Sequence, residues 1–132
     1  MAITGLNHFN IMGSQSLINK VRDFYVDVIG LSEGWRPDFD FDGHWLYAGD
    51  APILHLMVSD EGSDIDDGGI SSTTGHLDHI ALTAADLTAV ESRLIKLGQV
   101  YKKKVIPGFN VTQLFLRDPI GLGVELNFSE SS

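Results

Sequence analysis

The sequence predicts an α+β fold built from two copies of one module, each consisting of a strand, a helix and three further strands. The first observation is an internal repeat: residues 6–11 resemble 77–82, and 54–56 resemble 124–126, with an offset of about 70 positions. Each half also holds one apolar stripe with helical spacing. The remaining segments alternate apolar and polar residues, which is typical of strands with one buried face.

The first module is predicted to span residues 1–59 and to begin with a strand over 5–12. A helix follows, which Ser14 caps and Gly30 ends. Its apolar stripe has spacings of four, three and four positions and consists of Leu17, Val21, Phe24 and Val28. Three strands complete this module, over 32–36, 44–49 and 53–59.

The second module, residues 76–132, repeats this order, with a strand over 77–84 and a helix that Asp86 caps and Gly98 ends. The stripe of this helix consists of Leu87, Val90, Leu94 and Leu97. Its last three strands are predicted over 100–106, 111–117 and 122–128. The loop 60–75, rich in Asp, Gly, Ser and Thr, joins the modules and is the expected mobile segment. We therefore expect a single domain over residues 1–132.

The composition bounds the function. A chain of 132 residues with 43% hydrophobic and 20% charged residues has enough apolar surface for a core and is not disordered. The net charge of −9 repels nucleic acid and anionic membranes, so neither is an expected partner. The absence of cysteine excludes disulfides and thiolate metal sites. With no long apolar run and no leader-like start, we expect a cytoplasmic location.

Side-chain alternation gives four strands the same layout. The first and last strands of each module have one strongly apolar face and one mixed face. The mixed faces carry four potential metal ligands: His8, His55, His79 and Glu125. Because polar groups on such strands need partners, we expect these side chains to converge on one divalent metal. Two histidines and a carboxylate are enough to hold a metal with open positions.

The chain resembles the vicinal oxygen chelate superfamily, also called the glyoxalase/bleomycin-resistance/dioxygenase superfamily, along essentially its whole length. Residues 6–9, 21–31, 76–82 and 117–126 carry the resemblance. Within them, the FY-x-x-x-x-GL end of the first helix and the DP-x-G-x-x-x-E hairpin are specific in combination. The resemblance implies two βαβββ modules that form a curved, incompletely closed barrel around one divalent metal ion, which is nickel, zinc, manganese or iron. It also implies a homodimer, because relatives of this length commonly pair and swap modules.

Carried over by position, the superfamily's metal ligands are His8, His55, His79 and Glu125. The implied activity is that of a lyase or isomerase that binds a small substrate through two adjacent oxygens and stabilises an enolate. Glu125 or His55 would move the proton. Position 55 departs from glyoxalase I, in which a glutamate is usual, so His55 is either a fourth ligand or a base.

Two alternatives stay open. One is an iron(II) extradiol-type dioxygenase, whose facial triad would be His8, His79 and Glu125. The other is a non-catalytic, drug-binding resistance protein with an acidic groove suited to a cationic ligand. In each case we expect the substrate or ligand pocket to be lined by the repeat-equivalent residues Trp45, Tyr47, Gln113 and Phe115.

Overall fold

Two four-stranded sheets, each with its own helix, make up the computed structural model, which describes residues 2–59, 74–108 and 110–129. The α+β class predicted from the repeat is therefore confirmed. The chain divides into two units, residues 1–71 and 72–132, and each unit holds one sheet. Most of the predicted mobile loop 60–75 lies outside the described residues. No helix in the described ranges is long and apolar enough to cross a membrane.

The first unit has the predicted order of a strand, a helix and three strands. Its sheet has the strand order β1-β4-β3-β2, in which β1 and β4 are parallel and the other neighbours are antiparallel. The elements are β1 (Phe9–Gly13), α1 (Gln15–Asp23), a π-helical segment (Phe24–Ile29), β2 (Ser32–Gly34), β3 (Gly43–Ala48) and β4 (Ala51–Val58).

The first helix departs from the prediction after Asp23, where the α-helical hydrogen bonding gives way to the π-helical segment. The backbone N–H groups of Gly30 and Leu31 both donate to the carbonyl of Tyr25. Because a π turn holds more residues than an α turn, it lets the adjacent Phe24 and Tyr25 both be buried. Ser14 and Gly30 occupy the predicted cap positions, and Gly30 has a φ of 100°.

The second unit repeats the topology with the strand order β5-β8-β7-β6, in which β5 and β8 are parallel. Asp86 caps its helix by accepting the N–H of Ala89, and Gly98 ends it in the left-handed conformation, as predicted. The elements are β5 (His79–Ala84), α2 (Leu87–Leu97), β6 (Lys102–Ile106), β7 (Val111–Arg117) and β8 (Gly123–Ser129).

The predicted alternation of faces decides which strand residues are buried. In β4, Leu54 and Leu56 are buried and the intervening His55 is only half-buried. In β5, His79 is exposed and Ile80 is half-buried. His55 and His79 therefore lie on the sheet face opposite the apolar core of their unit. His8 lies just before β1, because that strand begins at Phe9 and not at residue 5 as predicted.

Candidate functional site

The second unit pairs His79 with Glu125 on one face of the parallel strands β5 and β8. His79 Nε2 lies 3.2 Å from Glu125 Oε1, and Glu125 is only 8% exposed. The residue opposite His79 in the register is Gly123. Because Gly123 has no side chain, the imidazole can lie against the carboxylate two residues further along β8.

Gln113 fixes the other oxygen of this carboxylate. From β7, its Nε2 donates hydrogen bonds of 3.0 Å to Glu125 Oε2 and of 3.0 Å to Asn127 Oδ1. Both amide hydrogens are thus used, and Oε1 is the carboxylate oxygen that faces His79. Gln113, which the sequence predicts as a pocket wall, also has this orienting contact.

Asp118 holds the turn that leads into β8. Its Oδ1 accepts backbone N–H groups of Ile120 and Leu122, both at 2.9 Å, and the residue is 5% exposed. Asp118, the aspartate of the DP-x-G-x-x-x-E hairpin, therefore stabilises the backbone of the turn. It sets the connection that delivers Glu125 to its place in the sheet.

In the first unit, three rings form a ladder across the sheet. His55 on the central strand β4 stacks on His8 with ring centroids 3.7 Å apart, and on Trp45 of β3 with centroids 4.0 Å apart. The interplanar angles of 17° and 7° show that the three rings are nearly parallel. Because His8 precedes β1 and Trp45 pairs directly with His55, the two neighbours lie on opposite sides of His55.

This environment keeps His55 neutral. Burial lowers the pKa of His55, and the nearby His8 lowers this pKa further, against the hydrogen bond to the carbonyl of Pro52, which raises it. Nε2 of His55 lies 3.1 Å from that carbonyl oxygen and donates to it. The remaining nitrogen, Nδ1, therefore carries the lone pair.

In His8 and His79 the other ring nitrogen, Nδ1, makes the hydrogen bond. His8 Nδ1 lies 2.7 Å from Asn7 Oδ1, and His79 Nδ1 lies 2.8 Å from Asp78 Oδ2. Both partners are acceptors, so Nδ1 carries the proton in each ring and Nε2 is the nitrogen available to a ligand.

The residue types of the candidate set, and the geometry of the His79–Glu125 pair, suit a divalent metal. Imidazole nitrogens and a carboxylate oxygen are ligands of iron, nickel, zinc and manganese. His79 Nε2 and Glu125 Oε1 lie 3.2 Å apart. Two ligand atoms that are each about 2.1 Å from one metal ion have this separation when the ligand–metal–ligand angle is about 100°. The structure presents the four candidates as two pairs, one in each unit. Within the described residues, no group of three or more histidine, aspartate or glutamate side chains is arranged to hold a metal.

The remaining predicted pocket residues are Tyr47 and Phe115. Tyr47 is half-buried and donates its hydroxyl to the carbonyl of Trp35 at 2.5 Å. Phe115 pairs with Glu125 across β7 and β8 and lines a cavity of about 260 Å³ together with Lys102 and Arg117. A larger cavity of about 440 Å³, between the start of α2 and the β6–β7 hairpin, is lined by none of the candidate residues.

Sequence reasoning missed three contributors to the site, namely Asn7, Asp78 and the orienting role of Gln113. A signal for the first two was present, because each directly precedes a candidate histidine at the same place in the repeat. The contact between Gln113 and one oxygen of Glu125 depends on the cross-strand register. The strand pattern in the sequence does not reveal that register.

Solved structures with the same fold cover nearly the whole chain. A glyoxylase/bleomycin resistance protein/dioxygenase domain from Frankia sp. EAN1pec aligns with a TM-score of 0.72 at 19% identity, covering 97% of this chain and 99% of the other. Lactoylglutathione lyase from Agrobacterium tumefaciens aligns with a TM-score of 0.66 at 19% identity, covering 98% and 96%. A mutant of the fosfomycin resistance protein FosX from Listeria monocytogenes, complexed with Mn(II) and a dihydroxypropylphosphonic acid, aligns with a TM-score of 0.66 at 16% identity, covering 96% and 93%.

In sequence comparisons, no protein-family model and no curated protein matches the chain. At these identities the structural similarity establishes the fold. The chain has the fold of these solved structures, which confirms the fold that the sequence resemblance implies.

Proposed function

We propose that this chain, which has the vicinal oxygen chelate fold, is a divalent-metal-dependent lyase or isomerase acting on a small substrate with two adjacent oxygens. The observation that carries the proposal is the His79–Glu125 pair, a nearly buried carboxylate 3.2 Å from an imidazole nitrogen. A buried carboxylate that faces a histidine and a neutral amide is a strong ligand for a cation. Lactoylglutathione lyase and a Mn(II)-bound FosX among the structural neighbours are consistent with this chemistry.

In this proposal His79 and Glu125 hold the metal, and His8 is the third ligand that the superfamily resemblance implies. His8 and His79 both have Nδ1 committed to a neighbouring acceptor, so each directs Nε2 to a ligand. When bound, the metal supplies the positive charge that holds two substrate oxygens and stabilises an enolate oxygen. Gln113 keeps Glu125 from rotating, because it occupies Oε2.

His55 is the proton carrier of the proposal. Its lowered pKa keeps the ring neutral near pH 7, so Nδ1 can accept a proton from the carbon next to the substrate carbonyl. The carbonyl oxygen of Pro52 accepts the N–H of His55 Nε2, which stabilises the His55 ring while it is charged. Stacking on His8 and Trp45 fixes the orientation of this ring. Returning the same proton to the adjacent carbon completes an isomerisation without an oxidant.

The metal is tested first. We expect protein purified without chelators or metal-affinity columns to contain a divalent metal, and chelator-treated protein to melt at a lower temperature. A ligand at one hundred times its Kd stabilises the folded state by about 2.7 kcal/mol, which corresponds to several degrees at this size. Nickel, manganese, iron(II) or zinc should restore the melting temperature.

A pair of matched variants locates the metal. Glu125→Gln should abolish most of the metal-induced shift, because it removes the only carboxylate of the proposed set. Glu91→Gln makes the same change at a carboxylate that contacts Tyr101 and Lys103 instead, and should keep the shift. Melting curves that respond to none of the four metals would contradict the metal centre.

His55 separates the readings of the site. As a base, His55→Ala should keep the metal-induced shift and lose proton exchange on a 2-oxoaldehyde hemithioacetal. His55→Glu should keep the metal and exchange protons faster than wild type, because it restores the carboxylate usual in glyoxalase I. Oxygen uptake on catechols by the iron(II)-loaded wild type would instead favour the dioxygenase, and tight binding of a cationic drug without any metal would favour a resistance protein.

We also propose that the chain forms a homodimer in the cytoplasm. Each unit exposes large apolar side chains, among them Leu6 at 86% and Val100 at 81% exposed. These side chains are available to a partner, and a second copy of this chain is the partner that the superfamily resemblance implies.

A further inference from the structure

We propose that Asn7 and Asp78 are positioning residues, each fixing the ring of the following histidine so that Nε2 is the nitrogen left for a metal ion. The inference rests on the proposed metal centre, and it adds two residues that are neither ligands nor substrate contacts. It also ranks the two ligands, because one orienting partner is an amide and the other is a carboxylate.

The two contacts are equivalent in the repeat. Asn7 Oδ1 lies 2.7 Å from His8 Nδ1, and Asp78 Oδ2 lies 2.8 Å from His79 Nδ1. In both modules the acceptor directly precedes the histidine at the first strand. The same contact therefore occurs twice, on the same ring nitrogen, with two different side chains.

The contacts have a clear chemical consequence. An acceptor at Nδ1 requires a proton there, and a neutral ring then presents its lone pair at Nε2. Hydrogen bonding of the distal ring nitrogen also raises the basicity of the ligating nitrogen. The carboxylate of Asp78 makes a charge-assisted bond, which is stronger than the bond from the amide of Asn7. His79 is accordingly the more firmly oriented ligand.

Packing does not account for the contact in the second unit. The side chain of Asp78 is 79% exposed and that of His79 is 45% exposed, so neither belongs to the core. On the other side, His79 Nε2 faces Glu125 Oε1, which is an acceptor. With the proton on Nδ1, the lone pair of Nε2 faces a carboxylate oxygen, and a cation held by both atoms relieves this repulsion.

Nuclear magnetic resonance of the ring nitrogens in metal-free, full-length protein tests the orientation without any metal. At about pH 8.5, two units above the ordinary imidazole pKa, we expect Nδ1 of His8 and His79 to be protonated. His55 is the internal control, because its proton should lie on Nε2, against Pro52. Asp78→Ala should release Nδ1 of His79 while leaving His55 unchanged.

Metal titration of the same variants tests the consequence. Loss of such an orienting partner typically lowers metal affinity 10–100-fold, and we expect about tenfold or more for Asp78→Ala. Asp78→Asn retains an acceptor oxygen and should recover most of the affinity. Asn7→Ala should lose less than Asp78→Ala. Asp40→Ala removes an exposed acid in the first unit and controls for the change in net charge.

The outcomes separate the two proposals. Wild-type protein that binds none of the four metals overturns the metal centre and this inference with it. Wild-type affinity in Asp78→Ala, or an unprotonated Nδ1 in His79, overturns the inference alone. Loss of affinity in Asp78→Ala with recovery in Asp78→Asn and a shifted ring proton supports it.

Discussion

Replacing Gly123 by alanine should displace His79 and weaken metal binding. A Cβ at this position would lie 2.8 Å from His79 Cβ and 2.9 Å from the backbone oxygen of Asp78. Ordinary contacts between carbon atoms are about 3.5–4.0 Å, so β5 must move away from β8 by roughly 0.7 Å or more. The hydrogen bond of 3.1 Å from the N–H of Gly123 to Asp78 lengthens in the same movement.

The cost follows from this geometry. Overpacking of a tightly packed site typically costs about 1–3 kcal/mol, and at this size each kcal/mol lowers Tm by about 3–6 °C. Moving His79 away from Glu125 also separates two proposed ligands that now lie 3.2 Å apart. We expect metal affinity to fall about tenfold, which is the lower end of the effect of disturbed ligand orientation.

Gly13→Ala is the matched control. A Cβ there would also meet an atom at 2.8 Å, but that atom is Cδ2 of Leu17, the end of a flexible side chain. Circular-dichroism melting and metal titration of both variants make the comparison. Wild-type metal affinity in Gly123→Ala, or an equal loss in Gly13→Ala, would refute the reasoning that a close strand contact positions His79.

Three further predictions concern the turn, the proton carrier and the assembly. Asp118→Ala should lower the free energy of unfolding by about 2 kcal/mol in a denaturant titration, because one buried and one half-buried N–H group lose their acceptor, whereas Asp118→Asn should recover part of this loss. Chelator-treated wild type should lose stability as the pH falls below about 6.5, because the lowered pKa of His55 means that the unfolded chain binds the proton first. His55→Gln should make the free energy of unfolding depend less on pH in this range, and an unchanged dependence would contradict the prediction. Light scattering should give the mass of a dimer, and a monomer at working concentration would refute the proposed assembly.

The sequence was sufficient for the fold because its signals are local and repeated. Period-two alternation predicted His55, His79 and Glu125 on the face opposite the core. In β4 the half-buried His55 lies between the buried Leu54 and Leu56, and in the second unit the register puts Glu125 on the face of His79, although Gly123 to Leu126 are all buried. The helix caps at Asp86 and Gly98 were equally readable, since each depends on one residue type at one position.

Other features depend on contacts that a linear pattern does not contain. The π-helical segment has the adjacent Phe24 and Tyr25 both buried, an arrangement that a stripe with a spacing of 3.6 residues does not express. Stacking of His55 on Trp45 depends on the register between β3 and β4, which the strand assignments left open. The ring nitrogen that each histidine commits to a hydrogen bond is a three-dimensional property of the same kind.

Equivalent positions of the two modules have different chemistry. His55 and Glu125 occupy the same place in the repeat, yet one is a neutral ring and the other a buried carboxylate. A second carboxylate at position 55 would cancel the charge that two neutral imidazoles and one carboxylate leave on a divalent ion. With His55 there instead, the proposed centre keeps a net charge of about +1, which attracts a developing oxyanion. The cost is a weaker base than a carboxylate held at the metal. His55→Glu should therefore trade tighter oxyanion binding for faster proton transfer, so a transition-state analogue bearing an enolate should bind this variant more weakly than wild type even where proton exchange is faster.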